Sequence, residues 1–450
     1  MQVLLDTYFG HTRIRSEYEI GPHRQRIVQA AATDSQDNKK GVRYMKEREV
    51  VIIEGMRTAF GKIGGSLKDF SPEELAGIGI KGLVDKTDIL KKTQVDCVFL
   101  GAAIGCSRAI NPARWALLHG GLPETTTASF IEMQCGSAID AINHAAWKIR
   151  LNYADVIIAG GMEGYSQVPA RFSQSTPPYR NMPPQYLAPQ LTPDCGTKQV
   201  YGPSDMGLTA ENLHVKYNIT REAQDQFAFR SQTLAKKAIE AGYFTEEIIP
   251  VSVAQGKKKD NLEFKQDEHP RLSTLETLAK LRPVFKEGGT VTAGNSSGLN
   301  DGSAFVLMMS RERADELGLS PMARWVSCAE YGVDPSIMGV APAYAMPLAL
   351  QRAQLKLSDI DVFECNEAFA AQNLAVIAEL ENQTGEKVDM DKWNPNGGAI
   401  AFGHPNGASG ARICMFAMRH LIRTGKRYGL FSSCCGGGLG VATLIENLRR

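Results

Sequence analysis

Two rhythms of apolar residues alternate along this chain. Short unbroken apolar runs at 49–54, 95–100 and 155–159 read as buried strands. Stretches with apolar residues three and four apart, the first at 72–84, read as helices. Such alternation predicts a parallel sheet with crossover helices. The pattern is sharpest over 129–161. A β-leaning run reaches Cys135, the small residues Gly136, Ser137 and Ala138 follow, and Ile139, Ile142, Ala146 and Ile149 then recur at helical spacing. The next strand closes on Gly160-Gly161. This reads strand–turn–helix–strand, with a cysteine where the helix starts. The free N–H groups and positive dipole end of a helix favour a thiolate there. The same residues fit a buried structural cysteine at a strand end, so this stretch alone leaves both roles open.

The rhythm breaks at 171–202, a Pro-, Gln-, Ser- and Tyr-rich stretch of the kind that forms a lid or binding loop. Helices resume over 206–241. Thr209-Ala210-Glu211-Asn212 starts one and Thr220 the next. Residues 256–265 read as a charged loop, and 288–302 as a loop dense in turn formers. From Ser303 the alternation resumes, and it echoes the first block. Asp361-Val362-Phe363 leads into a polar loop as Asp96-Cys97-Val98-Phe99 does. The helix pattern at 407–423 sets Ser409 against Ser137 and Ala417 against Ala145, and 428–431 falls against 156–159. This register also sets Gly407 against Cys135 and Cys434 against Met162. The repeat predicts two similar sheets packed together, with helix starts and strand ends of both halves converging on one site.

Composition narrows the class. The chain has 450 residues, 43% hydrophobic and 22% charged, which suits a globular protein of two or three domains. A net charge of +1 leaves no footprint for nucleic acid or an anionic membrane. No apolar run approaches the roughly 18 residues of a spanning helix. Nine cysteines without C-x-x-C pairs argue against a disulfide framework or a zinc ribbon, and predict a reducing compartment. The cytoplasm is the expected location, with a mitochondrial or peroxisomal matrix as the alternative. Residues 1–44 mix arginines with Asp and Glu, lack a signal peptide's apolar core and are too acidic for a transit peptide. They are expected to be a poorly ordered extension, with Met45 the true or an alternative start.

Four polar clusters carry candidate chemistry. Gly403-His404-Pro405-Asn406-Gly407 places a histidine just before a helix start; a capped helix with an incidental histidine reads equally well. Asn366-Glu367-Ala368-Phe369-Ala370 follows a strand, where ligands bind in α/β sheets, although Asn366 also fits an N-cap. Ser433-Cys434-Cys435-Gly436-Gly437-Gly438 lets backbone N–H groups face a ligand closely. It is no dinucleotide fingerprint, since 441–445 reads as a strand. Gly294-Asn295-Ser296-Ser297-Gly298 fits the G-x-S-x-G of hydrolases, but Leu299-Asn300-Asp301-Gly302 breaks the helix that such an elbow requires.

Taken together the motifs resemble the thiolase family from Val50 to about Asn447. They are C-G-S-A, G-G-M-E, M-G-x-T-A-E-N (206–212), G-T-V-T-A-G-N-S-S-G-x-N-D-G, N-E-A-F-A, G-H-P-x-G-A-S-G and C-x-G-G-G-x-G, in the family's order. The resemblance implies an α/β fold of two similar βαβαβαββ halves packed together, with a loop domain inserted in the first. The expected boundaries are 45–170 for the first half, 171–290 for the inserted loop domain, 291–320 for a return strand and linker, and 321–450 for the second half. It implies a CoA-dependent acyltransferase that cleaves 3-oxoacyl-CoA to acetyl-CoA and a shortened acyl-CoA, or runs the reverse Claisen condensation. Cys135 would be the nucleophile, His404 would take its proton, and Cys434 would be the acid/base at the α-carbon. Asn366 would position a water that completes one oxyanion hole with His404, and the backbone N–H groups of Cys135 and Gly436 would form the other. Ser297 would lie along the CoA pantetheine, with Phe285, Met206 and Met338 lining that tunnel or serving as plain core. CoA enters as substrate, with no tightly bound cofactor, no metal and a homodimer or homotetramer as the assembly. Three departures leave the acyl chain open: Asp205 stands where short-chain members often carry His, Gly164-Tyr165 replaces the commoner Asn-Met, and 171–202 has an unusual Pro- and Tyr-rich composition. The rivals are a ketosynthase-like condensing enzyme, from which Cys434 discriminates, and a non-catalytic CoA- or acyl-binding subunit.

Overall fold

A computed structural model describes residues 47–104, 109–173, 185–187, 205–255 and 260–450. The segment 1–44, the start at Met45 and most of 171–202 lie outside the described residues. Strand β1 (Val50–Thr58) is buried along almost its whole length. Helix α1 (Pro72–Thr87) starts at Ser71, whose hydroxyl accepts from the Glu74 N–H while the Glu74 carboxylate accepts from the Ser71 N–H. Such a reciprocal cap stabilises a helix by about 1 kcal/mol. Then come β2 (Cys97–Gly101), α2 (Pro112–His119), β3 (Thr127–Ile131), α3 (Ser137–Arg150) and β4 (Val156–Gly164). After β4 the chain leaves the sheet for α4 (Met206–Lys216) and α5 (Arg221–Glu240), and returns as β5 (Asn300–Ser310), antiparallel to both β1 and β4. The second half repeats the plan with β6 (Ala323–Gly332), α6 (Pro342–Ala353), β7 (Val362–Cys365), α7 (Ala370–Thr384), α8 (Asn406–Thr424), β8 (Tyr428–Cys435) and β9 (Leu439–Asn447).

The repeat is visible in the strand order β7-β8-β9-β6-β1-β5-β4-β2-β3. Outward from the centre, β1-β5-β4-β2-β3 is matched by β6-β9-β8-β7, and a single bridge from Phe363 to Trp393 stands where the first half has β3. The halves are one sheet rather than the two expected separate sheets: Val50, Val51 and Ile52 pair with Trp325, Arg324 and Ala323. Period-2 patterning reports which face of a strand is buried, not which strand it pairs with, so this seam escapes a sequence reading. The two halves enclose α3 and α8. Ile139 and Ile142 of α3 and Ile413 and Met415 of α8 share one core with Ile157 and Val306 of the first half and Phe431 and Ile445 of the second. Helices α1 and α2 cover the outer face of the first half, and α6 and α7 that of the second.

Arg57 ties the excursion after β4 to this frame. Its buried guanidinium donates to Glu247 at 2.7 Å and to both oxygens of Asp267 at 2.7 and 2.9 Å. A buried cation is tolerated when its donors are satisfied in this way. Ile248 and Ile249 then add a short parallel pairing to the end of β1.

Four local expectations are corrected. The strand before Cys135 ends at Ile131, because a tight 3₁₀ turn over Gln134–Gly136 intervenes. Helix α4 starts at Met206, where the Asp205 carboxylate caps the Gly207 N–H, and not at Thr209. Within 256–265, Leu262–Phe264 pairs with Val251–Val253 as a hairpin; charged side chains on an exposed hairpin imitate a loop. The polar loop ending at Gly302 gives way to β5 already at Asn300.

Candidate active site

Three turns meet at the ends of β4 and β8. The first carries Cys135. Gln134 takes a positive φ of 50°, and the Ser137 hydroxyl locks the turn by accepting from the Met133 N–H (2.9 Å) and donating to the Gln134 carbonyl (2.6 Å). Cys135 is 7% exposed, two residues before the start of α3. Glycine permits this approach: a Cβ on Gly101 would lie 2.6 Å from the carbonyl carbon of Ser137.

The second turn carries His404. Gly403 has φ 89°, and the His404 N–H donates to Asn300 Oδ1 at 3.0 Å. The Ser409 hydroxyl donates to the Pro405 carbonyl (3.0 Å), so its oxygen accepts from His404 Nδ1–H (2.6 Å). That assigns the proton to Nδ1 and leaves Nε2 with a lone pair, which faces the Asn366 amide nitrogen at 3.2 Å. Burial, with Arg412 as a second cation nearby, pushes the His404 pKa down to about 3. His404 is therefore neutral at physiological pH. The turn sits hard against the first half, since a Cβ on Gly161 would fall 1.9 Å from the Gly407 carbonyl oxygen.

The third turn follows β8. Cys434 is fully buried, and burial with the nearby Cys135 charge raises its pKa well above the ordinary thiol value. Gly437 and Gly438 take φ of 84° and 89°, which only glycine adopts freely, and bend the chain so that Gly436 reaches the cavity.

These turns border a cavity of about 200 Å³. Among the described residues Cys135, His404, Gly436, Ser297, Phe285, Met206 and Met338 line it, together with Tyr165, Leu299 and Asn406. Cys434 and Asn366 are not on its surface. Cys434 packs behind it against Met338 and Phe369, and Asn366 reaches it through His404. Asn366 is not an N-cap, because α7 begins after Phe369. Ser296 is no hydrolase nucleophile: its hydroxyl donates to the Thr292 carbonyl, and a strand, not a helix, follows.

Two carboxylates in the motifs escaped a role at the sequence level and prove to be fasteners, alongside backbone bonds between two of the motifs. Glu211 accepts from the N–H groups of Thr290 and Val291 at 2.8 Å, fixing the G-T-V-T loop. The Ser297 N–H donates to the Ala368 carbonyl and the Ala370 N–H to the Asn295 carbonyl, so that loop and N-E-A-F-A hold one another. Glu163 accepts from the N–H groups of Ala103 (2.9 Å) and Gly407 (3.1 Å), and burial pushes its pKa up to about 7. Their signal was only that charged residues sit inside small, apolar motifs.

A second groove, of about 450 Å³, has Ala293 and Gly294 in its lining, the latter two residues before Ser296 of the first. Phe229, Leu272 and Leu281 line it, and Arg271 donates to the Ala293 carbonyl at its edge. No group of three or more His, Cys, Asp or Glu among the described residues is arranged to hold a metal, and no described helix is long and apolar enough to cross a membrane.

The family description "Thiolase, N-terminal domain" matches residues 50–312 and "Thiolase, C-terminal domain" matches 319–447. An acetyl-CoA acetyltransferase of Syntrophomonas wolfei is 46% identical over 402 residues, spanning 89% of this chain and all of that protein. One of Chromobacterium violaceum is 44% identical over 399 residues, 88% of this chain and 99% of its own. The crystal structure of the Bacillus anthracis acetyl-CoA acetyltransferase superposes with a TM-score of 0.82 at 42% identity, covering 90% of this chain and 100% of that one. Human mitochondrial 3-ketoacyl-CoA thiolase in complex with CoA gives 0.80 at 39% identity, covering 89% and 98%.

Proposed function

The chain belongs to the thiolase family, and from that premise we propose that its cavity carries out the family's reaction through an acyl group held on Cys135. The protein is an acyltransferase. It cleaves 3-oxoacyl-CoA with CoA or runs the reverse condensation.

In the cleavage direction, Cys135 passes its proton to His404, and its thiolate adds to the C3 ketone. The C2–C3 bond then breaks. The acyl group stays on Cys135 as a thioester, and the electron pair moves to C2 as the enolate of acetyl-CoA. Cys434, held as a thiol by burial, gives that carbon its proton. The resulting Cys434 thiolate takes the proton of an incoming CoA thiol. CoA attacks the acyl-Cys135 thioester, and the released Cys135 thiolate regains its proton from His404. Neutral His404 suits the first transfer, because the imidazolium it becomes is stabilised by the thiolate formed beside it. The Cys135 and Gly436 N–H groups serve the oxyanion at C3. His404 and a water held by Asn366 serve the enolate. Each such donor is worth roughly 2.7–4 kcal/mol at a transition state.

The pantetheine arm of CoA runs past Ser297, Phe285, Met206 and Met338. Its nucleotide end takes the neighbouring groove at Arg271, where an apolar slot beside a cation suits a base and a phosphate. CoA is substrate, the chemistry calls for no bound cofactor, a homodimer or homotetramer is the assembly, and the cytoplasm is the location.

The observation that carries this reading is one cavity bordered by Cys135, His404 and Gly436, with Cys434 behind it. The test is incubation with acetyl-CoA, followed by mass spectrometry of the Cys135 peptide and assay of acetoacetyl-CoA thiolysis. An acetyl adduct on Cys135 is expected, and Cys135→Ala is expected to lower turnover by about four orders of magnitude or more. An active enzyme without that adduct would overturn the acyl-cysteine reading.

A further inference from the structure

The cavity has two unlike ends. Met206, Phe285, Met338 and Phe369 belong to one apolar cluster, and Tyr165 and Leu299 to another, with Ala103, Ile104 and Val168. Cys135, His404 and Gly436 line the cavity yet belong to neither cluster. The first cluster holds Met206, Phe285 and Met338, which the pantetheine arm runs past in the reading above, so CoA enters from that side. The second cluster then faces the acyl chain.

Tyr165 dominates that end and is held rigidly. It is 4% exposed, and its ring packs with Ala103 and Ile104. Asn406 and Cys135 line the same cavity. Its backbone is pinned on both sides. Gly164 pairs with Asp301, and the Ser166 N–H donates to Asp301 Oδ1 at 2.9 Å.

We propose that Tyr165 is the residue that sets acyl-chain length, closing the far end of the cavity so that the enzyme takes short, acetoacetyl-sized 3-oxoacyl-CoA substrates. This rests on the catalytic reading above. The ring stops the chain, and its pinned backbone and apolar packing hold the ring in place.

The test measures kcat/KM for thiolysis of 3-oxoacyl-CoA substrates of four, six, eight and ten carbons, alongside acetylation of Cys135 by acetyl-CoA. Wild type is expected to fall steeply beyond the shortest chains. Tyr165→Ala is expected to raise the eight-to-four-carbon ratio by about tenfold or more, since single methylenes in a pocket are discriminated about 10- to 200-fold. Tyr165→Leu, which keeps an apolar packing partner for Ile104, is expected to raise it less. Tyr165→Phe is expected to keep the short-chain preference, because the ring is the stop. A wild-type preference for long chains overturns the proposal. So does an unchanged ratio in Tyr165→Ala or Tyr165→Leu while Cys135 is still acetylated. Failure of wild type to acetylate Cys135 sinks the catalytic reading itself, and this proposal with it.

Discussion

Helices α3 and α8 occupy matching places in the two halves, yet their first turns differ. In α3 the helix proper waits until Ser137, and a 3₁₀ turn with a left-handed Gln134 precedes it. In α8 the helix is already running at Asn406, so Gly407, the counterpart of Cys135, is ordinary helix. At Cys135 the first half presents a side chain to the cavity, whereas at Gly407 no side chain fits. A Cβ there would lie 2.3 Å from the Met162 carbonyl oxygen and 2.4 Å from the Ala102 Cα. The strands differ in the same manner. Met162 of β4 is plain core, and its counterpart Cys434 of β8 is the residue proposed above as acid/base. The two halves are matching frames that carry different side chains at equivalent positions.

The strongest way to break this comparison is to exchange the strand pair. Cys434→Ala is expected to slow exchange of the α-protons of acetyl-CoA into heavy water by roughly 10²–10⁴-fold, while Cys135 still acetylates. Met162→Leu, a volume-conserving core change, is expected to cost under about 1.5 kcal/mol of stability and to leave that exchange largely intact. Equal losses in both variants would erase the distinction.

The helix-start contrast is sharpened by Gly407→Ala. Both neighbours of the new Cβ are backbone atoms, so relief requires α8 to move. A loss of about 3 kcal/mol or more in urea unfolding is expected, with lower kcat as His404 shifts. Unchanged stability would mean that the two halves are not pressed together at this point.

The smallest expected effect concerns the joint itself. Glu163 bonds Ala103 on its own half and Gly407 on the other. Its pKa is about 7 in the fold, against 4.5 ordinarily, so between these values the folded state binds more protons than the unfolded. Its contribution is complete below pH 4.5 and is lost as pH rises through 7. Wild type is expected to lose up to about 3 kcal/mol between pH 5 and 8 relative to Glu163→Gln, measured by urea unfolding. Parallel pH profiles for the two proteins would remove Glu163 from the account.

Much of the architecture was legible, because burial of helices and strands writes itself into apolar spacing. The duplication showed in Ser409 against Ser137, and the turns at Gly403 and Gly436 showed in their glycines. What escaped was set by long-range or atypical backbone geometry. Nothing in a glutamine announces the positive φ of Gln134. The pairing of Val50 with Trp325 depends on which edge a strand meets, not on its own pattern. That Asn366 and Cys434 stand behind the cavity rather than on it depends on depth, which a motif does not encode.

The seam strand has a further consequence, for how the chain is made. Strand β1 is among the first elements to leave the ribosome, and both its neighbours, β5 and β6, lie about 250 residues later. At roughly 5–20 residues per second, its two edges stay unpaired for some tens of seconds during synthesis. Neither half closes its sheet early, and loop-closure entropy over such distances slows the final pairing. The strand that joins the finished enzyme is, in the nascent chain, its most exposed edge.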